Sequence, residues 1–127
     1  MDLEVLKVYI QPTGVNFGYS NILKTLYKEN KLPTVKHGFY GDMLTKANVS
    51  LEHLRPKSKR GKTELCNLVL ATRNNNHRRG VKPLKDVINP EIVEQYLKQF
   101  KGIIVDDFNG NKYIEMIQRT LRKLLDD

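Results

Sequence analysis

The sequence predicts an α+β fold, with a small core of two strands and a polar helix and with further helices before and after that core. Three observations support this class. The short apolar run 68–70 is bounded by polar residues, as is typical of a buried strand. Branched and apolar residues at 49–51 form a second such run, after a stretch punctuated by glycines. From residue 89 onward, apolar residues instead recur at the spacing of a helix.

The first part of the chain is predicted to hold a strand, a helix and a hairpin. Residues 3–10 are rich in branched and apolar side chains, which favour a strand. A helix follows, capped by Ser20 or Asn21 and closed before Pro33. Two glycines punctuate residues 37–51, which we expect to form a hairpin that leads into an acid and a histidine.

A basic loop separates this part from the helical end of the chain. The loop covers residues 55–64, and the polar helix that follows the second strand ends near Gly80. Asn89 then caps another helix, with a proline in its first position and an acid in its first turn. A last helix covers about 111–125, so the helical extension occupies about 89–126.

The length and composition bound the kind of protein. A chain of 127 residues corresponds to one domain with a modest core. No apolar run is long enough to span a membrane, and we expect no membrane partner. The first residues lack the basic flank and apolar core of a secretory signal, which predicts a cytosolic protein, or a nuclear one in a host with a nucleus. The single cysteine, Cys66, excludes an internal disulfide and a cysteine-rich zinc site.

Positive charge is concentrated in the middle of the chain. Between Leu54 and Lys85 there are ten Lys or Arg residues and one acid, a net charge of +9, whereas the whole chain carries +8. The rest of the sequence therefore sums to −1. A phosphate-binding face concentrates charge in this way, and a uniformly solvated surface does not. The candidate nucleic-acid contacts are Arg55, Lys57, Lys59, Arg60, Lys62, Arg73, Arg78 and Arg79.

An acid, a histidine and several amides lie in or beside this basic segment. Phosphodiester hydrolysis needs a base for the attacking water, a divalent cation on the phosphate and donors for the flanking phosphates. A neutral imidazole at His53 suits the base. Glu52 and the amide oxygen of Asn76 suit the cation, although Glu52 could instead pair with a nearby arginine. Asn67 can hydrogen-bond the loop backbone and so fix the orientation of the imidazole.

The stretch from Glu52 to Gly80 resembles the motif of HNH endonucleases. It reads EHLRPKSKRGKTELCNLVLATRNNNHRRG. The features that it shares with the motif are an acid–His pair with a nearby Pro and Ser, and a Gly before the turn. An Asn-Leu pair and a final Asn or His before a basic residue and Gly complete the likeness. The resemblance covers about residues 37–82 and implies a ββα-metal core there. It also implies an endonuclease that nicks or cuts DNA, of the small kind typical of phages and mobile elements.

The resemblance assigns roles to individual residues. It implies that the catalytic motif consists of His53, Asn67 and Asn76, with His53 as the general base and Asn67 as the orienting residue. Asn76 and Glu52 would hold one divalent ion. The last position stays open by one residue, because His77 adjoins Asn76: an amide oxygen suits Mg²⁺ or Mn²⁺, whereas an imidazole suits a transition metal. The products would carry a 3′-hydroxyl and a 5′-phosphate.

The chain departs from many HNH relatives at the places of their structural zinc. Those relatives bind zinc through two Cys-x-x-Cys pairs, whose places here are taken by His37 and Tyr40 and by Thr72 and Asn75. These residues do not form a normal zinc site. We therefore expect no structural zinc and a core held together by packing, with the flanking helices contributing.

Three functions stay open from the sequence. The first is the active endonuclease. The second is an inactive module that kept the fold and binds nucleic acid or a protein partner. Metal-dependent cleavage that disappears with His53→Ala would distinguish the first function from the second. The third is a basic RNA-binding or ribosome-associated protein with an accidental motif. The sequence also leaves open whether the substrate is DNA, RNA or branched DNA, and whether the chain forms a homodimer.

Overall fold

The computed structural model describes residues 22–126, so the predicted strand at 3–10 and the candidate caps Ser20 and Asn21 lie outside the described residues. The described chain contains four α-helices and two small antiparallel sheets, which confirms the predicted α+β class. The helices are α1 (Ile22–Lys28), α2 (Arg73–Arg79), α3 (Pro90–Lys98) and α4 (Gly110–Asp126). The strands are β1 (Val49–His53), β2 (Leu68–Thr72), β3 (Ile104–Val105) and β4 (Phe108–Asn109).

β1 and β2 form an antiparallel pair, and α2 follows β2 without a loop. Their register places Glu52 opposite Val69 and His53 opposite Leu68. Every residue of β2 is buried, as its apolar sequence requires. The hydroxyl of Thr72 accepts a hydrogen bond from the backbone N–H of Asn75, which caps α2. The acid–His pair at the end of β1 is thereby brought close to the polar helix.

The predicted hairpin over residues 37–51 is wrong. His37 and Met43 form a single antiparallel bridge around a tight turn, and β1 pairs with β2 instead. A second turn separates the bridge from β1, because Thr45 and Asn48 hydrogen-bond each other's backbone N–H groups through their side chains. The fully buried β2 also offers β1 a longer apolar partner than the residues of the bridge do.

Two buried tyrosines connect the C-terminal helices to β2. The hydroxyl of Tyr96 on α3 accepts from Leu70 N–H, and the hydroxyl of Tyr113 on α4 donates to the carbonyl of Leu68. The two hydroxyls lie 2.9 Å apart, so Tyr96 donates to Tyr113 and every polar atom of the chain of bonds is satisfied. Burial raises the pKa of both tyrosines, which keeps them neutral.

One hydrophobic core joins the elements. Buried side chains from α1, both strands of the larger sheet, α3 and α4 belong to a single cluster. Asn89 caps α3 as predicted, since its side chain accepts hydrogen bonds from Glu91 N–H and Ile92 N–H. No helix within residues 22–126 is both long and apolar enough to cross a membrane.

Hydrogen bonds attach the segment from His37 to Asp42 to the start of α2 and to the end of α3. The carboxylate of Asp42 accepts from the hydroxyl of Thr72 and from the side-chain amide of Asn75, at the start of α2. The side chain of Gln99, just after α3, accepts from His37 N–H and donates to the His37 carbonyl. A carboxylate and an amide thus attach the segment to the rest of the fold.

Candidate active site

The basic loop between β1 and β2 is folded back on itself by one asparagine and one glycine. The buried side chain of Asn67 accepts from Arg55 N–H and donates to the carbonyls of Arg55 and Lys62. Gly61 passes so close to the start of the loop that a Cβ there would lie 1.7 Å from the Arg55 carbonyl oxygen. The expected contact of Asn67 with the loop backbone is confirmed, and it joins the two ends of the loop.

His53 ends β1 and contacts the far end of the same loop. Its Nε2 lies 3.0 Å from the hydroxyl oxygen of Thr63, the residue after Lys62. Asn67 holds the carbonyl of Lys62, so it fixes the loop one residue before the contact of Thr63 with His53. Burial, and next to it the charge of Lys57, lower the pKa of His53 below its ordinary 6.5. The imidazole is therefore neutral at pH 7, as a general base must be.

Glu52 is paired with an arginine inside the protein. Its Oε2 accepts from Arg79 Nη1 at 2.9 Å and from the hydroxyl of Tyr40 at 2.5 Å. The side chains of Arg79 and Glu52 are 3% and 5% exposed. Burial, followed by the bond to Glu52, raises the pKa of the Tyr40 hydroxyl, so it stays a donor. The arginine pairing considered for Glu52 from the sequence is the one that occurs.

This pairing corrects the prediction that Arg79 binds nucleic acid. Besides Glu52, its guanidinium donates to three backbone carbonyls, those of His53, Leu54 and Lys82. A guanidinium with every group engaged inside the core does not reach a phosphate. Arg79 instead fixes the end of β1, and with it the position of His53.

Asn76 and His77 lie on α2, across from the end of β1. The Asn76 side-chain amide donates to the carbonyl of Leu51 and to the hydroxyl of Ser50, which fixes the direction of the side chain. Since the nitrogen of the amide faces β1, its oxygen faces away from those acceptors. His77 is exposed.

Four of the predicted catalytic or metal-binding residues, together with the predicted contact Lys57, line one open depression. Its wall contains Glu52 and His53 from β1, Asn76 and His77 from α2, and Pro56, Lys57, Ser58, Gly80 and Val81 from the adjoining loops. Asn67 does not line it and acts from behind the loop. Lys57 brings a positive charge to its edge, as an anionic substrate requires.

The donor set of the depression fits a hard divalent cation in part. Within residues 22–126, no three His, Cys, Asp or Glu side chains are grouped to hold a metal ion. Two oxygens nevertheless suit Mg²⁺ or Mn²⁺: among the described residues, none donates a hydrogen bond to Glu52 Oε1 or to Asn76 Oδ1. Such an ion keeps several waters, so two protein oxygens leave room for phosphate oxygens.

The other predicted nucleic-acid contacts lie on the surface. Seven of the eight are exposed: Arg55, Lys57, Lys59, Arg60, Lys62, Arg73 and Arg78. Among them, Arg73 donates to the Ala47 carbonyl and Arg78 donates to the Asn75 side chain. Lys57 lines the depression, and the other six carry exposed positive charge elsewhere on the basic loop and on α2.

Sequence reasoning missed two residues of the site. Tyr40 was considered at a zinc position, yet its hydroxyl binds Glu52. Thr63 was not singled out, although it lies next to the loop end that Asn67 was expected to hold.

Comparison with known proteins finds that the chain matches no family model, no curated protein and no solved structure.

Proposed function

We propose that this protein is a metal-dependent endonuclease of the HNH type, which hydrolyses phosphodiester bonds of DNA. The observation that carries the proposal is the convergence of Glu52, His53, Asn76 and His77 on one depression that the exposed Lys57 also lines. The order β1, β2, α2 and the antiparallel pairing agree with a ββα-metal core. The clamp of Asn67 on the basic loop agrees with an orienting role.

The geometry suits an in-line attack of water on phosphorus. In the tautomer in which Nε2 donates to Thr63, the other ring nitrogen of His53, Nδ1, would carry the lone pair that takes a proton from water. The new bond joins the water oxygen to phosphorus, and the bond from phosphorus to the 3′ oxygen breaks, which leaves a 3′-hydroxyl and a 5′-phosphate. Glu52 and Asn76 would hold the divalent ion, which supplies charge stabilisation for the phosphate and the leaving oxygen.

A second candidate is a nucleic-acid-binding module without nuclease activity. The observation that favours it is the ion pair between Glu52 and Arg79, which neutralises the one buried carboxylate of the depression and takes one of its oxygens. A carboxylate paired in this way attracts a cation less strongly than a free one. Under this candidate the basic surface binds DNA or RNA, and no cleavage follows.

Supercoiled plasmid distinguishes the two candidates. Wild type is incubated with Mg²⁺, Mn²⁺ or EDTA beside His53→Ala and beside His37→Ala, a matched control whose histidine is exposed and does not line the depression. The nuclease predicts nicking or linear product with metal, lost with EDTA and in His53→Ala but kept in His37→Ala. A plasmid that is shifted in a gel but uncut by all three proteins contradicts DNA cleavage and supports the binding module.

Separate substitutions of Asn76 and His77 decide the register of the third position. Asn76→Ala should abolish cleavage if the amide oxygen holds the ion, and His77→Ala should leave it within a few-fold of wild type. The reverse result would assign the position to His77. Asn76→Asp is the informative partner variant, because it keeps an oxygen ligand but cannot donate to the Leu51 carbonyl.

A further inference from the structure

A second cavity, of about 270 Å³, lies beside the depression. Its apolar lining comes from the buried Leu54 and Leu84 and the partly buried Leu124. Exposed lysines form its rim, namely Lys59 from the basic loop and Lys82 and Lys85 from the segment after α2. None of the lining residues is acidic. An apolar floor under a cationic rim matches a ligand that has both an apolar and an anionic part.

The two cavities are adjacent. Pro56 and Val81 line both of them, and the side chain of Val81 is 58% exposed, so it is accessible to a ligand that passes from one cavity to the other. A chain-like ligand with one phosphate at His53 therefore meets this second cavity next. A polynucleotide has this form, because a deoxyribose with apolar edges lies between successive phosphates.

We propose that this cavity is a backbone subsite for the nucleic-acid strand beside the scissile phosphate. Lys59, Lys82 and Lys85 bind flanking phosphates, and the apolar floor contacts the intervening sugar. This inference rests on the proposed function, and it adds the course of the strand over Val81. Two of these lysines replace Arg79, whose guanidinium is buried, as phosphate contacts on this side of α2.

The test measures DNA binding in EDTA, where cleavage does not interfere. Fluorescence anisotropy of a short labelled duplex is followed against salt for wild type and for Lys82→Ala/Lys85→Ala. The control is Lys98→Ala/Lys101→Ala, which removes the same charge from exposed lysines beside the groove between α3 and α4. The subsite predicts a Kd about tenfold higher for the first pair, and a slope of log Kd against log salt lower by about 2, with little change for the control.

Two further variants separate the subsite from general charge. Lys82→Arg/Lys85→Arg should bind like wild type, because it keeps both cations. Val81→Glu places an acid between the two cavities and should weaken binding strongly, whereas Val81→Thr, of similar size, should not. Val81 is exposed, so these variants are expected to keep the fold, which circular dichroism checks.

The binding and cleavage assays distinguish failure of the subsite from failure of the nuclease. Weaker binding by the Lys82/Lys85 variant, with no cleavage by wild type in Mg²⁺, supports the subsite and contradicts the nuclease. Equal Kd and equal salt slope for the two lysine pairs, with cleavage intact, overturns the subsite and leaves the nuclease standing. Absence of DNA binding by wild type overturns the subsite, and plasmid cleavage with metal still decides the nuclease.

Discussion

Replacing Arg79 by alanine should destabilise the protein far more than replacing its neighbour Arg78. Arg79 is 4% exposed and donates to the carboxylate of Glu52 and to the carbonyls of His53, Leu54 and Lys82. Arg78 is exposed, and its guanidinium donates to the side chain of Asn75. The two substitutions remove the same charge from adjacent positions, so their difference isolates the effect of burial.

The magnitude follows from what Arg79→Ala leaves behind. Removing one partner of a buried ion pair costs about 3–5 kcal/mol, because the other charge stays buried without compensation. Three carbonyls also lose their donor, at about 1 kcal/mol each where water does not replace it. The total is a large part of the roughly 5–15 kcal/mol by which a domain is stable. Arg78→Ala should change the free energy of unfolding by less than about 0.5 kcal/mol.

Urea denaturation followed by circular dichroism measures both variants. If Arg79→Ala does not fold, Arg79→Lys serves in its place, since lysine keeps a charge near Glu52 but reaches fewer carbonyls. Glu52→Gln supplies the other arm of a double-mutant cycle. The losses of unfolding free energy in the two single variants should add up to more than the loss in the double variant. Equal unfolding free energies for the Arg78 and Arg79 variants, with DNA affinity reduced by the Arg79 change, would refute the structural role and restore Arg79 as a phosphate contact.

Four other expectations concern the site and its support. Because the pKa of His53 is lowered below 6.5, cleavage should persist from pH 7 to below pH 6.5 and should fall as the imidazole gains its proton. Lys57→Ala removes a repelling positive charge and raises that pKa, so it should move the acidic limb of the kcat profile to higher pH. Thr63→Val should lower kcat by about 10- to 100-fold while DNA binding in EDTA is kept, and Thr63→Ser should restore kcat. Gly61→Ala should open the loop, because its Cβ would lie 1.7 Å from a carbonyl oxygen, and hydrogen exchange should show faster exchange at residues 55–62. Asp42→Ala should lower the free energy of unfolding by about 1–2 kcal/mol in a denaturant titration, with Asp42→Asn intermediate.

Local signals in the sequence predicted the helices well. Asn89 and the proline after it predicted the first turn of α3, and the side chain of Asn89 caps that turn. Gly80 ended α2 as expected, with a φ of +55° that favours glycine. Such signals are reliable because a cap or a helix end depends on interactions within a few residues.

Pairing between distant segments was harder to predict. The glycines of residues 37–51 suggested a hairpin, but β1 takes its partner from β2, on the far side of the basic loop. Glycines mark turns without specifying which strands they join. Within the site, Asn67 could be linked to the loop backbone from its motif, whereas the contact between Thr63 and His53 depends on the path of a loop that only the fold determines.

The two arginines at the end of α2 show that a charge pattern in the sequence does not predict which arginine is buried. Arg78 and Arg79 are adjacent and chemically identical, and the charge pattern assigns both to phosphate. Successive residues of a helix point about 100° apart, so one can face solvent while the other faces the core. A buried arginine needs an acidic partner, which Glu52 on β1 supplies. Three backbone carbonyls accept the remaining hydrogen bonds of the Arg79 guanidinium. The same guanidinium therefore neutralises Glu52 and positions His53. A substitution of Arg79 would change both the charge that Glu52 offers to a cation and the position of the His53 imidazole. If the nuclease is active, the strength of this ion pair sets how much negative charge Glu52 offers to a divalent ion.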